Sequence, residues 1–289
     1  MSTAAAWVAT AAGIVMVVVA VWDVFHTMWH PSGQGRLSGG VLSLVWRVCR
    51  RLGVRGRRLS GPAGMVMVIV TWAGMVLLGW ALVYWPRLPE SFSYGPGSPV
   101  LDPTFLDAVY LSAVTVATLG YGDIVPVSPV LRLVMPLESL LGFGLLTAAV
   151  SWVLQVYPAL TRRRSLALRL ATLQRTDTAD NLDRMHPTTA ASLLDGVTDA
   201  ICATHLDYAQ YAETYYFGDP SPETSLGATV GYARRLGRAA QMCGSVDARQ
   251  AGASLTSAIR ELARVLDEQY LRTGSDVDGV LAAFREDQR

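Results

Sequence analysis

Long apolar stretches occupy much of the first half of the chain, and they form three runs. The runs lie within residues 1–30, 65–85 and 130–158, and the second of them contains no charged side chain. A helix needs about 20 mostly apolar residues to cross the hydrocarbon core of a membrane, and each run supplies them. The first run lacks the positively charged start of a cleaved signal peptide, which favours a retained span. The pattern predicts an all-α membrane protein with three transmembrane helices.

A fourth apolar stretch, between the second and third spans, is too short to cross a membrane. Asp102 and Pro103 form a typical helix start, with the aspartate as N-cap and the proline at the first helical position. A few apolar turns follow, and the sequence TLGYGD begins at Thr118. Non-helical backbone is tolerated at membrane depth only where protein buries it or where it lines a water-filled cavity. We therefore expect a re-entrant helix over residues 103–117 and a non-helical segment over residues 118–123.

The sequence TLGYGD resembles the selectivity filter of tetrameric potassium channels, which is usually written TVGYGD. The order of span, short helix, filter and span is also similar to that family over residues 65–158. The resemblance implies a pore module in which K⁺ is the permeant ion and exchanges its hydration shell for backbone carbonyls. Glycine supplies the backbone angles that such a filter requires and that other residues avoid. The implied filter residues are Thr118, Leu119, Gly120, Tyr121, Gly122 and Asp123, with K⁺ held by the carbonyls of Thr118, Leu119, Gly120 and Tyr121.

Three further residues are expected to support the filter. Val114 occupies a position at which some members of the family carry a carboxylate that braces the aspartate after the filter. Tyr110 is expected to replace that brace by donating a hydrogen bond to Asp123. An acid inside a span is costly and is a functional candidate by default, and for Glu138 we expect a structural role rather than a role in permeation.

The third span is expected to contain the gate. Helical phase and the resemblance together predict that its hinge and pore lining comprise Gly142, Phe143, Leu146, Thr147 and Val150. An apolar lining can close a pore by narrowing and dewetting. Gly142 lies where the family places a hinge, yet glycine also permits close helix packing, and both interpretations stay open.

A polar face near the end of the first span carries Asp23, His26 and His30. Their helical spacing is compatible with metal binding or with proton sensing near neutral pH. The alternative is a set of polar residues that hydrogen-bond to the following loop.

The arginines indicate how the chain crosses the membrane. Residues 31–64 contain seven arginines and no acid, and a second basic segment, 159–180, follows the third span. The positive-inside rule then places the N-terminus outside and the C-terminus in the cytoplasm. A helix within residues 31–64 either lies on anionic lipid or packs on the protein. All 24 basic residues are arginine, which is typical of a GC-rich bacterium, so we expect the bacterial plasma membrane.

Residues 181–289 read as several helices separated by glycine and proline. Neither alternating strands nor a GxGxxG motif is found there, which argues against a nucleotide-binding regulatory domain. The net charge of +1 gives no reason to expect nucleic acid as a partner. The chain shows no order of residues typical of an enzyme, and no cofactor is expected.

One filter sequence cannot encircle an ion, so the resemblance implies four identical chains around a fourfold axis. The predicted function is potassium-selective, passive conduction by a homotetramer. Two alternatives stay open: a cation channel of lower selectivity, and a non-conducting membrane scaffold or regulatory subunit.

Overall fold

A computed structural model of the protein describes residues 2–29, 35–88, 90–95, 104–219 and 225–288. They form two compact units. The first combines Met1–His30, Gln34–Leu42 and Met65–Val153, and the second combines Pro31–Gly33, Ser43–Gly64 and Leu154–Arg289. Each unit is described by itself.

Three helices are long and apolar enough to cross a membrane, as the apolar runs predicted. They are α1 (Thr3–Trp29), α3 (Gly53–Tyr84) and α5 (Pro129–Arg175). The remaining helices are α2 (Arg36–Arg51), α4 (Phe105–Val116), α6 (Thr178–Asn181), α7 (Pro187–Gln210), α8 (Leu226–Met242), α9 (Val246–Leu266) and α10 (Val277–Asp287). The predicted all-α membrane fold is confirmed.

Two predicted boundaries differ from the structure. The segment 31–64 is mostly helical rather than a loop, because α2 fills its centre and α3 begins at Gly53 instead of at residue 65. The predicted inner helix 130–158 and basic linker 159–180 are one helix as far as Arg175. The reason is composition, since alanine, leucine and arginine favour helix and no glycine interrupts this part of the sequence.

In the first unit, α1 and α3 approach closely through a pair of glycines. A Cβ atom added to Gly13 would lie 2.3 Å from the carbonyl oxygen of Gly79. Small residues at such crossings let two membrane helices pack backbone to backbone. This contact fixes α1 against the pore-side helices of the unit.

A two-stranded antiparallel ribbon brackets α4 and the TLGYGD sequence, with one strand before them and one after, and the apolar pattern did not predict it. Strand β1 (Phe92–Tyr94) pairs with strand β2 (Ile124–Pro126), with Ser93 opposite Val125. Strands of three residues are too short to show an alternating pattern. Phe92 and Ile124 are buried in a core formed with residues of α3, α4 and α5, so the ribbon attaches the end of the filter to the surrounding helices.

The second unit is a helical bundle, as predicted for residues 181–289. Helix α9 packs against α7 and α8 around a core that includes Leu194, Val197, Ile201, Leu236, Leu255, Ile259 and Leu262. Tyr215 stacks on Tyr270 with 4.2 Å between the ring centroids. Burial raises the pKa of Tyr208 to about 12, so this hydroxyl stays protonated at neutral pH.

An arginine from the end of α5 is buried within the second unit. Arg163 donates to the carbonyl oxygens of Thr214 and Phe217 and to the carboxylate of Asp219, the last at 2.9 Å. Its side chain is 3% exposed. A buried charge is tolerated only when it is paired and hydrogen-bonded. The three acceptors serve the two Nη atoms, whereas Nε has no hydrogen-bond partner among the described residues. These hydrogen bonds hold the segment after α7 against α5.

Candidate functional site

The short helix α4 is capped by its own sequence. The Thr104 amide donates to Asp107 Oδ2 at 2.6 Å, and the Thr104 side chain caps the first turn in return. This reciprocal pair is a capping box, and it starts the helix at Phe105. The predicted start at Asp102 and Pro103 lies outside the described residues. The last helical residue is Val116, so the helix ends just before the TLGYGD sequence.

The backbone of the TLGYGD segment alternates in handedness. Thr118, Gly120 and Gly122 have φ values of +57°, +56° and +78°, and the residues between them do not share the positive sign. Glycine adopts such angles without steric cost, as the sequence analysis expected for Gly120 and Gly122. Thr118 was missed, and a non-glycine residue pays about 1–3 kcal/mol of strain in this region. Its neighbours must therefore hold it in place.

The helix end supplies that constraint. The carbonyl oxygen of Val114 accepts the Leu119 amide at 2.9 Å, and the carbonyl oxygen of Thr115 accepts the Thr118 amide at 3.0 Å. Ser139 on α5 donates its hydroxyl to the same Thr115 carbonyl at 3.0 Å. Val114 therefore supports the segment through its backbone oxygen, while its side chain is buried.

The far end of the segment is held at Asp123. The Tyr110 hydroxyl donates to Asp123 Oδ2 at 2.7 Å, which is the contact that the sequence analysis expected. The Asp123 carbonyl oxygen accepts the amide of Gly95 at 2.8 Å. One residue thus joins the filter sequence, α4 and the ribbon.

Glu138 is fully buried behind this arrangement. It accepts the Tyr84 hydroxyl at 2.5 Å and the Ser112 hydroxyl at 2.6 Å. These residues belong to α3, α4 and α5, so one carboxyl group joins the three helices around the filter. Sequence analysis identified Glu138 but not its two partners. The sequence feature that could have indicated them is a hydroxyl group at an otherwise apolar position at membrane depth.

Gly142 lies against α4 rather than in an open lining. A Cβ atom added there would lie 2.2 Å from the carbonyl oxygen of Val116, whereas one added at Gly144 would meet nothing within 4 Å. This close contact favours the packing interpretation of Gly142 over the hinge interpretation. The other predicted lining residues, Phe143, Leu146, Thr147 and Val150, are exposed in the single chain.

On the polar face of α1, Asp23 serves as a hydrogen-bond acceptor for the helix that follows. Asp23 is buried and accepts the Leu37 amide at 2.9 Å and the Trp72 indole N–H at 2.9 Å. It also accepts the amide and the hydroxyl of Ser38. The carboxylate therefore caps the start of α2, which supports the hydrogen-bonding alternative for Asp23.

His26 does not join Asp23 in a site. It is exposed, with Nδ1 3.1 Å from the Trp22 carbonyl oxygen, and His30 lies outside the described residues. Among the residues that the structure describes, no group of three or more histidine, cysteine or acidic side chains is arranged to hold a metal ion.

Comparison with known proteins points to the same segment. Residues 65–157 match the model of a family described as an ion channel. The uncharacterized membrane protein YdjJ of Bacillus subtilis is 28% identical over 56% of this chain and 48% of its own length. A two pore potassium channel c of Oryza sativa subsp. japonica is 38% identical over 28% of this chain and 18% of its own length.

A third relative, protein LctB of Geobacillus stearothermophilus, is 35% identical over 26% of this chain and 60% of its own length. The chain thus covers less than two thirds of each of these relatives. No solved structure matches it. The family match and the named potassium channel support the predicted resemblance, and they point to a channel rather than an enzyme. Residues 65–157 are thus similar to an ion channel family, and the chain carries, within the described residues, three helices long and apolar enough to cross a membrane.

Proposed function

We propose that the chain is a subunit of a potassium-selective channel that conducts passively through TLGYGD. The observation that carries the proposal is the alternating backbone at Thr118, Gly120 and Gly122. An extended segment whose residues alternate in this way is suited to present its carbonyls in rings when four copies surround an axis. Potassium then exchanges its hydration water for the carbonyls of Thr118, Leu119, Gly120 and Tyr121, and for the Thr118 hydroxyl.

The surrounding charges favour a cation on both sides of the filter. Helix α4 ends at the filter, and the C-terminal end of a helix carries a partial negative charge. Asp123 follows the filter and raises the local concentration of cations at its mouth. The hydrogen bond from Tyr110 keeps this carboxylate beside the filter sequence.

A homotetramer explains the surface of the single chain. Large apolar side chains along α5 are exposed, including Leu133 at 75%, Phe143 at 64% and Leu146 at 63%. A cavity of about 770 Å³ beside Thr118 and Gly120 is lined mostly by apolar residues of α4 and α5. Exposed apolar surface on a spanning helix contacts lipid or another protein chain. We propose that three further copies of the chain cover the part that lines the cavity beside Thr118 and Gly120.

We also propose the orientation and the gate. The arginines of residues 31–64 place that segment and the helical bundle in the cytoplasm of a bacterium, and the N-terminus outside. The apolar side chains of Phe143, Leu146 and Val150 then line an inner gate that closes by dewetting. Helix α2 exposes Leu44 and Val48 beside Arg47 and Arg51, which suits contact with anionic lipid.

The experiment is potassium flux into vesicles that contain the purified protein, with reversal potentials measured in potassium and sodium gradients. We expect flux with a clear preference for potassium, and its loss in Gly120→Ala, because a side chain is strained at φ +56°. Gly74→Ala is the matched control, since a Cβ atom at Gly74 meets nothing within 4 Å.

Two outcomes would replace the proposal. Equal permeability to sodium and potassium would identify a cation channel of lower selectivity. Absence of flux in a correctly assembled wild-type tetramer would identify a scaffold or regulatory subunit.

A further inference from the structure

A second concentration of positive charge lies in the helical bundle, far along the sequence from the filter. Helix α8 presents Arg234, Arg235 and Arg238, and α10 presents Arg285, around a groove of about 410 Å³. One carboxylate, that of Asp278, lines the same groove. The lining of the groove therefore includes four arginines and a single acid.

The existing ion pairs leave much of this charge uncompensated. Asp278 lies 2.7 Å from Nε of Arg234 and 3.0 Å from an Nη atom of Arg238. A guanidinium carries five N–H donors, so sharing one carboxylate leaves donors on both arginines for another acceptor. Arg235 is paired outside the groove with Asp180, at 2.7 Å.

The position of Arg285 at the groove depends on the small residues on the surface of α8. Its nearest described acceptors are the carbonyl oxygens of Gly227 and Ala228, at 3.4 and 3.5 Å, which are long for charge-assisted hydrogen bonds. A Cβ atom added to Gly231 would lie only 3.1 Å from Nη2 of Arg285. Glycine at this position lets the guanidinium of one helix lie across the surface of the other.

We propose that this groove binds a small anion that carries adjacent phosphate groups. Arginine forks match phosphate oxygens in pairs, and several forks from two helices provide more donors than one carboxylate can accept. The volume lies within the range of small-molecule sites. Leu281 and Ala282 complete the lining with apolar surface. The inference is independent of conduction by residues 118–123.

Asp278 distinguishes the proposed anion site from a simple ion-pair network, because the proposal predicts the sign of the change in affinity when its charge is removed. Its carboxylate pairs with the guanidinium groups of Arg234 and Arg238. A phosphate-bearing ligand must displace it or bind beside it against like-charge repulsion. Removing the charge of Asp278 therefore strengthens anion binding, although it removes two ion pairs.

The test measures the binding of inorganic pyrophosphate to the full-length protein in detergent by titration calorimetry. A chloride salt is added so that all titrations have the same ionic strength. Arg234→Gln and Arg238→Gln are each expected to weaken binding about tenfold, as for loss of one charge-assisted hydrogen bond. Asp278→Asn is expected to strengthen binding by about the same factor. Arg260→Gln is the control, because Arg260 is exposed on α9 outside this groove, and it should leave affinity unchanged.

Short-chain phosphatidylinositol 4,5-bisphosphate, whose headgroup carries two neighbouring phosphates, is titrated in parallel and distinguishes a soluble ligand from a lipid headgroup. Preference for pyrophosphate supports a soluble phosphate compound, and preference for the lipid supports a headgroup, both at the same arginines. The proposal is overturned if neither probe binds at millimolar concentration, or if binding is insensitive to Arg234→Gln and Arg238→Gln. Weaker binding by Asp278→Asn would also overturn it. If an arginine variant fails to fold, the increase expected for Asp278→Asn still decides.

Discussion

The pore segment and the helical bundle use hydrogen-bonded polar groups for different purposes. Around the filter, Glu138 and Tyr110 hydrogen-bond to side chains so that a stretch of unusual backbone stays in place. In the bundle, Arg163 hydrogen-bonds to backbone carbonyls so that an irregular segment stays on a helix. The first arrangement positions backbone oxygens for use, whereas the second joins pieces of the fold. Because of this difference, the pore segment carries a recognisable sequence motif, whereas we find none in the bundle.

The comparison implies that a substitution in each region has a different signature. Loss of a polar partner in the bundle should lower stability there and leave ion selectivity unchanged. Loss of a partner around the filter should alter conduction even where the loss of stability is small. Four substitutions test this contrast, from the largest expected change in free energy to the smallest.

Arg163→Ala should destabilise the bundle by about 4 kcal/mol, because removing one partner of a buried pair leaves the other unpaired. Hydrogen exchange of α7 and the segment after it would measure the effect. Arg164→Ala is the control, since Arg164 is 47% exposed and lies 3.8 Å from Asp219, and exposed pairs contribute about 0–1 kcal/mol. Equal protection in the two variants would contradict the role given to Arg163.

Glu138→Ala should lower the stability of the pore segment by about 3 kcal/mol, because the Tyr84 hydroxyl loses its acceptor inside the protein and the Ser112 hydroxyl keeps only the carbonyl oxygen of Leu77. Thermal unfolding of the purified protein would measure the loss. Glu138→Gln keeps one carbonyl oxygen and should lose about 1 kcal/mol. If alanine and glutamine variants unfold at the same temperature, the carboxyl group does not brace the three helices.

Gly142→Ala should cost about 2 kcal/mol and reduce conduction, because the new methyl group overlaps the Val116 carbonyl at the end of α4. Single-channel recording and thermal unfolding would follow the two effects. Gly144→Ala meets nothing within 4 Å in the single chain and should be nearly neutral. A stronger effect of Gly144→Ala on gating would favour a hinge at that position instead.

Tyr110→Phe should cost about 1 kcal/mol, the value of one hydrogen bond, yet it should shorten the time that the filter stays conducting. The decay of current during sustained recording in bilayers is the measurement. Tyr94→Phe is a matched control, because the Tyr94 hydroxyl has no hydrogen-bond partner within the described parts of the chain. Identical decay in wild type and Tyr110→Phe would show that Asp123 needs no brace.

Sequence alone predicted the elements whose causes are local. Three apolar runs predicted the spans, and TLGYGD predicted the segment that Gly120 and Gly122 shape. The contact between Tyr110 and Asp123 could also be predicted, because helical phase and the short separation along the chain limit the possible partners of Asp123. These features depend on few residues at fixed spacing.

The features that sequence did not predict depend on distant partners. Glu138 lies 54 residues from Tyr84 and 26 from Ser112, and several other hydroxyl groups were equally available in the sequence. The spacing of Asp23 relative to the histidines of α1 suggested a shared polar face, whereas its carboxylate caps the start of α2. The left-handed Thr118 follows from the constraint at the end of α4, which no propensity encodes. In each case tertiary packing chose among chemically similar options.

The alternation at Thr118, Gly120 and Gly122 also has a stereochemical consequence. A residue with positive φ follows the path natural to the mirror-image amino acid, so this stretch behaves like a chain of alternating enantiomers. Semisynthesis can exploit that property: D-alanine in place of Gly122 fits φ +78°, whereas L-alanine is strained there. If the D-alanine variant conducts and the L-alanine variant does not, position 122 requires a left-handed backbone and has room for a side chain.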